Sequence, residues 1–400
     1  MIAATGKPKS GWEEYKLGEL CCNISYGYTE SASSEPIGPK FLRITDIVPG
    51  RVNWATVPYC KISNSNQAKY KLQEGDIVIA RTGATTGHTY TIKPDDLKYD
   101  SVFASYLIRY RIDTQKADPF YIGHLLTGVA WKGFVGGVAG GSAQPGANAK
   151  QFADFDILLP PLPEQHAIAA VLSSLDDKID LLHRQNKTLE SLASALWRKM
   201  FIEEAGVDWK NGNLGDIAEI NPLRSLKKGQ AATYLDMSNM PTSGAFPLDW
   251  VPRCYTSGMK FKNGDTIVAR ITPCLENGKT AYINFLNENE VAWGSTEYVV
   301  LSPKTAYCSE WFYFLARHND FREFMIQNMT GTSGRQRVSG ESIAQYDMLT
   351  PPVKITQDFG LFAVPAMEHI KHNSLQIRTL SKTRDALLPK LMSGEVLVKS

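Results

Sequence analysis

The sequence predicts an α+β protein with two mixed, sheet-rich domains joined by two long helices, which pair as an antiparallel coiled coil about an internal pseudo-twofold axis. Two observations support this fold class. The chain of 400 residues repeats its own motifs at an offset of about 190 residues. In addition, each copy ends in a long stretch whose apolar residues recur at alternating steps of three and four, which is the period of a coiled-coil helix.

The internal repeat is visible in motifs that occur in the same order in both halves. Leu-Gly-Glu-Leu at residues 17–20 matches Leu-Gly-Asp-Ile at residues 214–217. Gly-Asp-Ile-Val-Ile-Ala-Arg at residues 75–81 matches Gly-Asp-Thr-Ile-Val-Ala-Arg at residues 264–270. An apolar strand followed by Pro-Pro then closes both copies. Two equivalent units in one chain can be related by a twofold axis, as two subunits are in a symmetric dimer.

The first part of each copy, residues 1–162 and 205–353, is predicted to be a mixed domain. The β-branched runs at residues 77–80 and 266–269 follow a Gly-Asp turn and therefore read as strands. Short helical segments alternate with such runs in both copies. The Pro-Pro pairs stop the last strand of each domain before the helix begins.

A long helix is predicted to follow each domain, over residues 163–204 and 354–400. Residues 164–201 contain neither Pro nor Gly, and such a helix at 1.5 Å per residue forms a rod of roughly 60 Å. The second helix has a weaker pattern, because Gly360 and Pro365 fall in its first turns. The residues predicted to form the pairing seam are Leu175, Ile179, Leu182, Asn186, Leu189, Ile370, Asn373, Ile377 and Leu380.

A polar break in the seam predicts the register of the two helices. The twofold relation makes the helices antiparallel, and an axis near residue 184 places Asn186 opposite Asn373. A buried Asn pair fixes the register of a coiled coil at some cost in stability. We therefore expect the two amides to be in contact.

The composition is that of a globular chain with a nearly neutral charge. Lys and Arg number 43 against 41 Asp and Glu, which excludes a polycation but not a local basic patch. No apolar stretch is long enough to predict a membrane span. The six cysteines include no Cys-x-x-Cys pair, so they are predicted to be free thiols in a reducing, cytoplasmic environment.

Motifs typical of catalysis or metal binding do not occur in the sequence. Gly-x-Ser-x-Gly is absent. The segment at residues 273–280 ends like a phosphate loop but begins with Pro273 instead of glycine. His369 and His372 are the only closely spaced histidines, and they lack the HExxH pattern. The chain is therefore predicted to be non-catalytic and to bind no metal.

The repeated motifs resemble those of the specificity subunit of type I restriction–modification systems. Two motifs that occur in both halves contribute to this resemblance: Leu-Gly-Glu/Asp-Leu/Ile near the start of each half, and the strand motif Gly-Asp-x-x-x-Ala-Arg. The more specific motif is Asp-Ile-Leu-Leu-Pro-Pro-Leu-Pro-Glu-Gln at residues 156–165, which leads into a long helix. The second copy departs from it, because residues 351–357 lack the Leu-Pro-Glu. The resemblance covers nearly the whole chain.

The resemblance implies a non-catalytic DNA-recognition role in defence against foreign DNA. Each mixed domain would be a target-recognition domain that reads one half of a bipartite double-stranded DNA site. The paired helices would set the spacing between the halves and dock two methyltransferase subunits. It also implies that this chain binds no cofactor, because S-adenosylmethionine belongs to the methyltransferase subunits and ATP with Mg²⁺ to the restriction subunits.

Candidate DNA contacts are polar, basic or aromatic residues in predicted loops, because such side chains read bases and bind phosphates. In the first domain they are Tyr26, Tyr28, Thr29, Ser31, Lys40, Arg43, Arg81, Thr82, Thr85, Thr86 and Gln144. In the second domain they are Arg224, Lys227, Lys228, Arg270, Thr272, Lys279, Arg335, Gln336 and Arg337. Arg81 and Arg270 occupy equivalent positions, so a shared structural hydrogen bond is an alternative role for both.

Two further interpretations stay open at the level of the sequence. Trp197 and Phe201 are large apolar residues at the end of the first long helix, and they either dock a partner subunit or pack on their own domain. The whole chain, in turn, is alternatively a free-standing sequence-specific DNA-binding regulator or a coiled-coil scaffold for other proteins. An enzyme in its own right is the least favoured alternative.

Overall fold

The chain forms two compact units, and each contains one mixed domain with part of both long helices. The first unit comprises the residues up to Asp180 and those from Ser381 onwards, and the second comprises Leu181–Leu380. The computed structural model describes residues 11–48, 50–140, 146–304, 306–332 and 334–398.

Both long helices are continuous. The first is Leu162–Arg198 and the second is Val353–Met392. Gly360 and Pro365 lie inside the second helix and do not interrupt it, although the sequence predicts weak first turns there. A side chain at position 360 would come within 3.2 Å of the Cys308 sulfur, so glycine lets this helix pack closely on its own unit.

The first unit is built around a four-stranded antiparallel sheet with the order β2-β7-β4-β5. A parallel pair, β3-β6, lies beside it, and the antiparallel pair β1-β8 joins the two ends of the domain. The strands are β1 Glu13–Lys16, β2 Cys21–Tyr26, β3 Lys40–Leu42, β4 Ile77–Ala80, β5 Thr89–Thr91, β6 Ser101–Phe103, β7 Leu107–Ile112 and β8 Asp156–Leu159. The short helices are Leu17–Leu20, Ile44–Ile47, Asn64–Tyr70, Gly83–Thr85, Pro94–Lys98, Pro119–Leu125, Val129–Ala139 and Ala149–Ala153.

The core of the first unit joins the central sheet to both long helices. Tyr110 of β7 and Trp131 are fully buried in this core. Leu172 of the first long helix and Leu391 of the second belong to the same cluster. The two helices also pair directly, because Arg384 donates to Asp176 at 2.7 Å.

The second unit repeats this arrangement and extends it. Its central sheet has the order β10-β17-β14-β15, and β9-β18 is the antiparallel pair that joins the ends. The small sheet gains two strands and has the order β12-β11-β16-β13, in which only β11-β16 is parallel. The strands are β9 Lys210–Asn213, β10 Ala218–Ile220, β11 Ala231–Leu235, β12 Val251–Cys254, β13 Lys260–Phe261, β14 Thr266–Ala269, β15 Thr280–Tyr282, β16 Ala292–Gly294, β17 Tyr298–Pro303 and β18 Asp347–Thr350. The short helices are Lys199–Glu203, Leu214–Ile217, Met237–Asn239, Ser309–Arg317, Asn319–Gln327 and Gly340–Ala344.

The predicted contact between the two asparagines of the seam is present in the second unit. Asn373 Nδ2 donates to Asn186 Oδ1 at 2.9 Å, and Asn186 Nδ2 donates to Ser374 Oγ at 3.1 Å. Of the other predicted seam residues, Ile179, Leu182 and Ile370 are buried. Leu175, Leu189, Ile377 and Leu380 are half-buried.

Candidate nucleic-acid interface

The repeated Gly-Asp motif builds the central sheet of each unit and does not form part of an exposed site. Gly75 and Gly264 adopt positive φ angles of 77° and 89°, which glycine accommodates without strain. The aspartates that follow, Asp76 and Asp265, are fully buried. Each accepts a hydrogen bond from a backbone N–H three residues earlier, at 2.8 Å and 2.7 Å, and so closes the turn into the strand.

An ion pair with the buried aspartate completes this motif in both units, but the arginine comes from different elements. Arg111 of β7 donates to Asp76 at 2.7 Å and 2.8 Å. Arg224, which follows β10, donates to Asp265 at 2.7 Å, and its side chain is only 8% exposed. The prediction that Arg224 contacts DNA is therefore corrected, because this side chain neutralises a buried carboxylate.

Three loop segments meet where the central strand of each unit ends. In the first unit Arg81 N donates to Tyr106 O at 3.1 Å and Ala147 N donates to Arg81 O at 3.0 Å. In the second unit Arg270 N donates to Glu297 O at 3.0 Å and Val338 N donates to Arg270 O at 3.0 Å. We call these regions the loop clusters, and they comprise residues 81–88, 104–106 and 146–149 in the first unit and residues 270–279, 295–297 and 330–338 (except 333) in the second.

The loop cluster of the first unit is aromatic. The Arg81 guanidinium lies 5.0 Å from the centroid of the Tyr26 ring. The Tyr26 hydroxyl accepts a hydrogen bond from Ala149 N at 3.0 Å, and the side chain remains 40% exposed. Tyr106 is 61% exposed in the same cluster. Nothing in the local sequence of Tyr106 marks it as a site residue, and the sequence analysis missed it.

The other polar residues predicted for the first domain lie in or beside this cluster. Thr82, Thr85 and Thr86 are half-buried, and Thr86 Oγ1 donates to Gly83 O at 2.7 Å. Tyr28 is half-buried, whereas Thr29 and Ser31 are exposed in the loop after β2.

The loop cluster of the second unit is ionic. Glu297 accepts hydrogen bonds from Arg337 Nε and Nη2, at 2.9 Å and 2.8 Å, and from Arg270 Nε at 3.3 Å. The two guanidinium groups, Arg337 first, lower the pKa of Glu297. Arg337 Nη1 donates to Arg335 O at 3.0 Å, so all three nitrogens of that guanidinium have partners. Both arginines were predicted from the sequence, whereas Glu297, which brings them together, was not.

Arg337 therefore has a different role from the neighbouring predicted contacts. It fastens the last loop segment to Glu297, whereas Arg335 is exposed. Thr272 and Gln336 hold the first and last segments together through two hydrogen bonds, at 3.1 Å and 3.2 Å. Lys279 Nζ donates to Met237 O at 2.6 Å. Lys227 and Lys228 are exposed.

Two predicted contacts in the first domain are held by other groups. Lys40 is corrected, because its ammonium group is buried, donates to Val57 O at 2.7 Å and lies 4.0 Å from the Tyr59 ring centroid. Arg43 forms a two-pronged ion pair with Asp46, at 2.9 Å and 3.0 Å, which raises the pKa of the guanidinium. The predicted contact Gln144 lies outside the described residues.

The end of the first long helix packs on its own unit. Trp197 and Phe201 are 2% and 6% exposed. The ring centroids of Trp197 and Trp311 are 5.9 Å apart, and those of Phe201 and Phe359 are 5.7 Å apart. Trp197 and Phe201 therefore do not offer a docking surface, and of the two predicted alternatives the structure has the one in which they pack on their own domain.

No helix in the described part of the chain is long and apolar enough to cross a membrane. Within those same residues, no group of three or more His, Cys, Asp or Glu side chains is placed to hold a metal ion.

Comparisons with known proteins agree with the geometry. Residues 9–191 match the family model for the type I restriction modification DNA specificity domain. The chain is 27% identical over 224 residues to the putative type I restriction enzyme MjaX specificity subunit of Methanocaldococcus jannaschii, and the match covers 54% of this chain and 51% of the relative. It is 20% identical over 470 residues to the type I restriction enzyme HindI specificity subunit of Haemophilus influenzae, and this match covers 97% of this chain and 100% of the relative.

The fold also matches that of a solved structure. A crystal structure of the S subunit of a type I restriction–modification system from M. genitalium superimposes with a TM-score of 0.60 at 15% identity, covering 96% of this chain and 97% of the other. This likeness concerns the fold alone. The chain spans 51% and 65% of the lengths of the two M. jannaschii relatives MjaX and MjaIX.

Proposed function

We infer that this chain, which belongs to the family of type I restriction–modification specificity subunits, is the DNA-reading component of such a complex and performs no catalysis itself. Each mixed domain is a recognition domain for one half of a bipartite duplex site. The long helices set the spacing between the halves. Methyltransferase subunits bring S-adenosylmethionine, and restriction subunits bring ATP and Mg²⁺.

One observation carries this proposal. The two loop clusters share a backbone frame, but they present different side chains. Arg81 with two tyrosines occupies one frame, and Arg270 with Glu297 and Arg335 occupies the other. Arginine reads guanine through two donors, carboxylates accept from the cytosine amino group, and aromatic rings contact bases. A repeated frame with different readers is suited to two different half-sites.

The role of the helices rests on their continuity. An α-helix keeps a fixed rise per residue, so a change in its length changes a distance without changing the readers. A bipartite site is read at a fixed centre-to-centre spacing when the two readers are joined rigidly. We therefore expect inserted helical residues to alter the spacer of the DNA site and to leave the bases of its half-sites unchanged.

The test is DNA methylation mapping in cells that carry this chain with its genomic neighbours, compared with a deletion of this chain alone. We expect a bipartite methylated motif that disappears on deletion. Replacing residues 1–150 by another recognition domain should then change one half of the motif only. A methylation pattern that does not depend on this chain would contradict the proposal and favour a free-standing DNA-binding regulator.

A further inference from the structure

The small sheet of the second unit has a face that the loop cluster does not include, and Arg253 is exposed on it. On this face Arg253 of β12 lies 4.8 Å from the centroid of the Tyr234 ring and 5.9 Å from that of Trp293. Tyr255 packs edge-on against Trp293, and Lys260 lies 4.9 Å from the Tyr255 ring centroid. We call these five residues the outer sheet face.

The sheet register explains why these side chains meet. Arg253 pairs with Ala232 on β11, and Tyr234 of β11 pairs with Trp293 of β16. Trp293 in turn pairs with Lys260 of β13. Side chains alternate between the two faces of a sheet, so these positions share one face while Leu235 points into the core.

A basic turn lies beside this face. Gly229 N donates to Tyr255 O and Tyr255 N donates to Gln230 O, both at 2.8 Å. These bonds hold the exposed Lys227 and Lys228 next to Tyr255. The face and the turn together contain four cations, of which Lys260 donates to Arg224 O at 2.9 Å. The carboxylate of Asp236 accepts from Ser238 and Tyr234, at 2.6 Å to 3.1 Å, and its pKa is lowered first by Ser238 and to a smaller extent by Arg253.

We propose that the outer sheet face and the Lys227–Lys228 turn form a second DNA contact that binds the phosphates of a duplex whose bases the loop cluster reads. This inference rests on the proposed function. Trp293 and Glu297 are separated by four residues, so their backbones are at most about 14 Å apart, which places the outer sheet face near the loop cluster. A duplex bound at the loop cluster presents several phosphates over that distance.

The chemistry of the face favours phosphates over bases. Trp293 is buried, and a cation lies near each of the two tyrosine rings, 4.8 Å from the centroid for Tyr234 and 4.9 Å for Tyr255, so positive charge dominates the face. Arg253 is exposed, and a guanidinium has five N–H donors, so it can contact a phosphate oxygen while it stays beside the Tyr234 ring. A duplex backbone is therefore the ligand that fits, in preference to a single strand.

Among the residues that the structure describes in the first unit, no equivalent contact is found, which makes the proposal specific. There the outer side of β3 and β6 is covered by the chain itself, because Tyr28, Ile62 and Tyr70 pack on the buried Phe41 and Val102. We therefore expect the phosphate contacts of the small sheets to belong to the second unit alone.

The test is the salt dependence of binding of the full chain to a fluorescent random-sequence duplex of about 30 bp, between about 50 mM and 200 mM salt. Removing one phosphate-binding cation should reduce the slope of log affinity against log salt concentration by about 0.9. The slope of K227Q/K228Q should therefore fall by about 1.8, so its loss of affinity over this salt range should be about 12-fold smaller. The slope of R253Q should fall by about 0.9, and R253K, which keeps the charge, should retain most of the slope.

The matched control is K354Q, because Lys354 is an exposed lysine of the same unit that lies on the second long helix. Slopes of K227Q/K228Q and R253Q equal to that of K354Q would overturn the inference. A reduction confined to single-stranded poly(dT) would also overturn it and would assign the face to single strands. The proposed function is tested separately: if the chain without substitutions directs its partners to no bipartite methylated motif, the proposed function is contradicted. The salt dependence of the variants tests only the second DNA contact.

Discussion

The two mixed domains attach to the long helices through different chemistry, although their central sheets have the same strand order. In the first unit Ile168 and Leu172 of the first long helix lie in the core of the domain, and Lys93 adds ion pairs to Asp177 at 2.9 Å and to Asp180 at 3.1 Å. In the second unit the joint is largely aromatic. The rings of Trp197, Phe201, Trp311 and Phe359 meet there, and Tyr313 donates to Glu190 of the first long helix.

The chemistry of the loop clusters differs between the units in the opposite sense to that of the joints. The first unit, whose joint includes the ion pairs of Lys93, presents an aromatic loop cluster, and the second unit, whose joint is largely aromatic, presents an ionic one. The frame depends on the buried Gly-Asp strand and its arginine, which both units keep. The backbone frame, the joint and the side chains proposed to read DNA are therefore separable parts of this fold.

The largest expected effect tests the aromatic joint. Trp197→Ala removes a fully buried indole from the core of the second unit, and a buried Trp truncated to Ala costs about 3–5 kcal/mol. We expect a clear fall in the midpoint of chemical denaturation for the second unit. Leu192→Ala, at a 53% exposed position of the same helix, is the control and should change the stability by no more than about 0.5 kcal/mol. Equal effects of the two variants would show that Trp197 does not hold the joint.

The next effect tests whether the loop clusters read separate half-sites. Arg81→Gln and Arg270→Gln change equivalent residues, and each is expected to relax one half of the methylated motif only. A bidentate arginine contributes about 1–3 kcal/mol of discrimination, which is about 5-fold to 150-fold between competing duplexes. Competition with duplexes altered in one half-site measures this. Loss of preference in both halves from either variant would contradict separate reading.

The frame was predictable from the sequence because it is carried by local patterns that occur twice. The strands at residues 77–80 and 266–269 and the asparagine contact in the seam follow from repeated motifs and from heptad spacing. Arg224 and Lys40 were mispredicted for the opposite reason. Each is buried by a partner far away in the sequence, Asp265 and Val57 respectively, and nothing local marks such a pairing.

The readers were only partly predictable. Arginines in loops are easily recognised as candidate DNA contacts, but their geometry depends on three segments that are separate in the sequence. Tyr106 and Glu297 follow equivalent strands at an offset of 191 residues, so the repeat itself carries the one signal for them. That signal identifies a shared position in the frame, whereas the chemistry at this position differs between the units.

A third effect concerns the seam within the second unit. Asn186→Leu removes the acceptor of the buried Asn373 amide, and a buried polar group left without its partner costs about 1–3 kcal/mol. The double variant N186L/N373L replaces both amides and should recover most of that stability, while the register of the helices becomes less strictly defined. Thermal unfolding of the single and double variants measures the difference. A double variant less stable than both single variants would contradict this account of the pair.

The smallest effect separates the two joints by their response to pH. His124 in the first unit is half-buried, and its Nε2 lies 3.1 Å from Ser173 Oγ. Burial lowers the pKa of His124 below 6.5; Asp176 opposes this shift, whereas Lys93 and Arg384 add to it. The unfolded chain therefore binds a proton at a higher pH than the folded chain does. The stability of the first unit should fall as the pH drops below about 6.5.

The second unit has Leu315 at the equivalent position, which is buried and cannot titrate. His124→Leu transfers this residue to the first unit, so its unfolding midpoint should lose the part of its pH dependence that lies below about 6.5. Denaturation of the variant and the unchanged chain at a series of pH values measures this. Parallel pH profiles of the two chains would contradict the assignment of this acid response to His124.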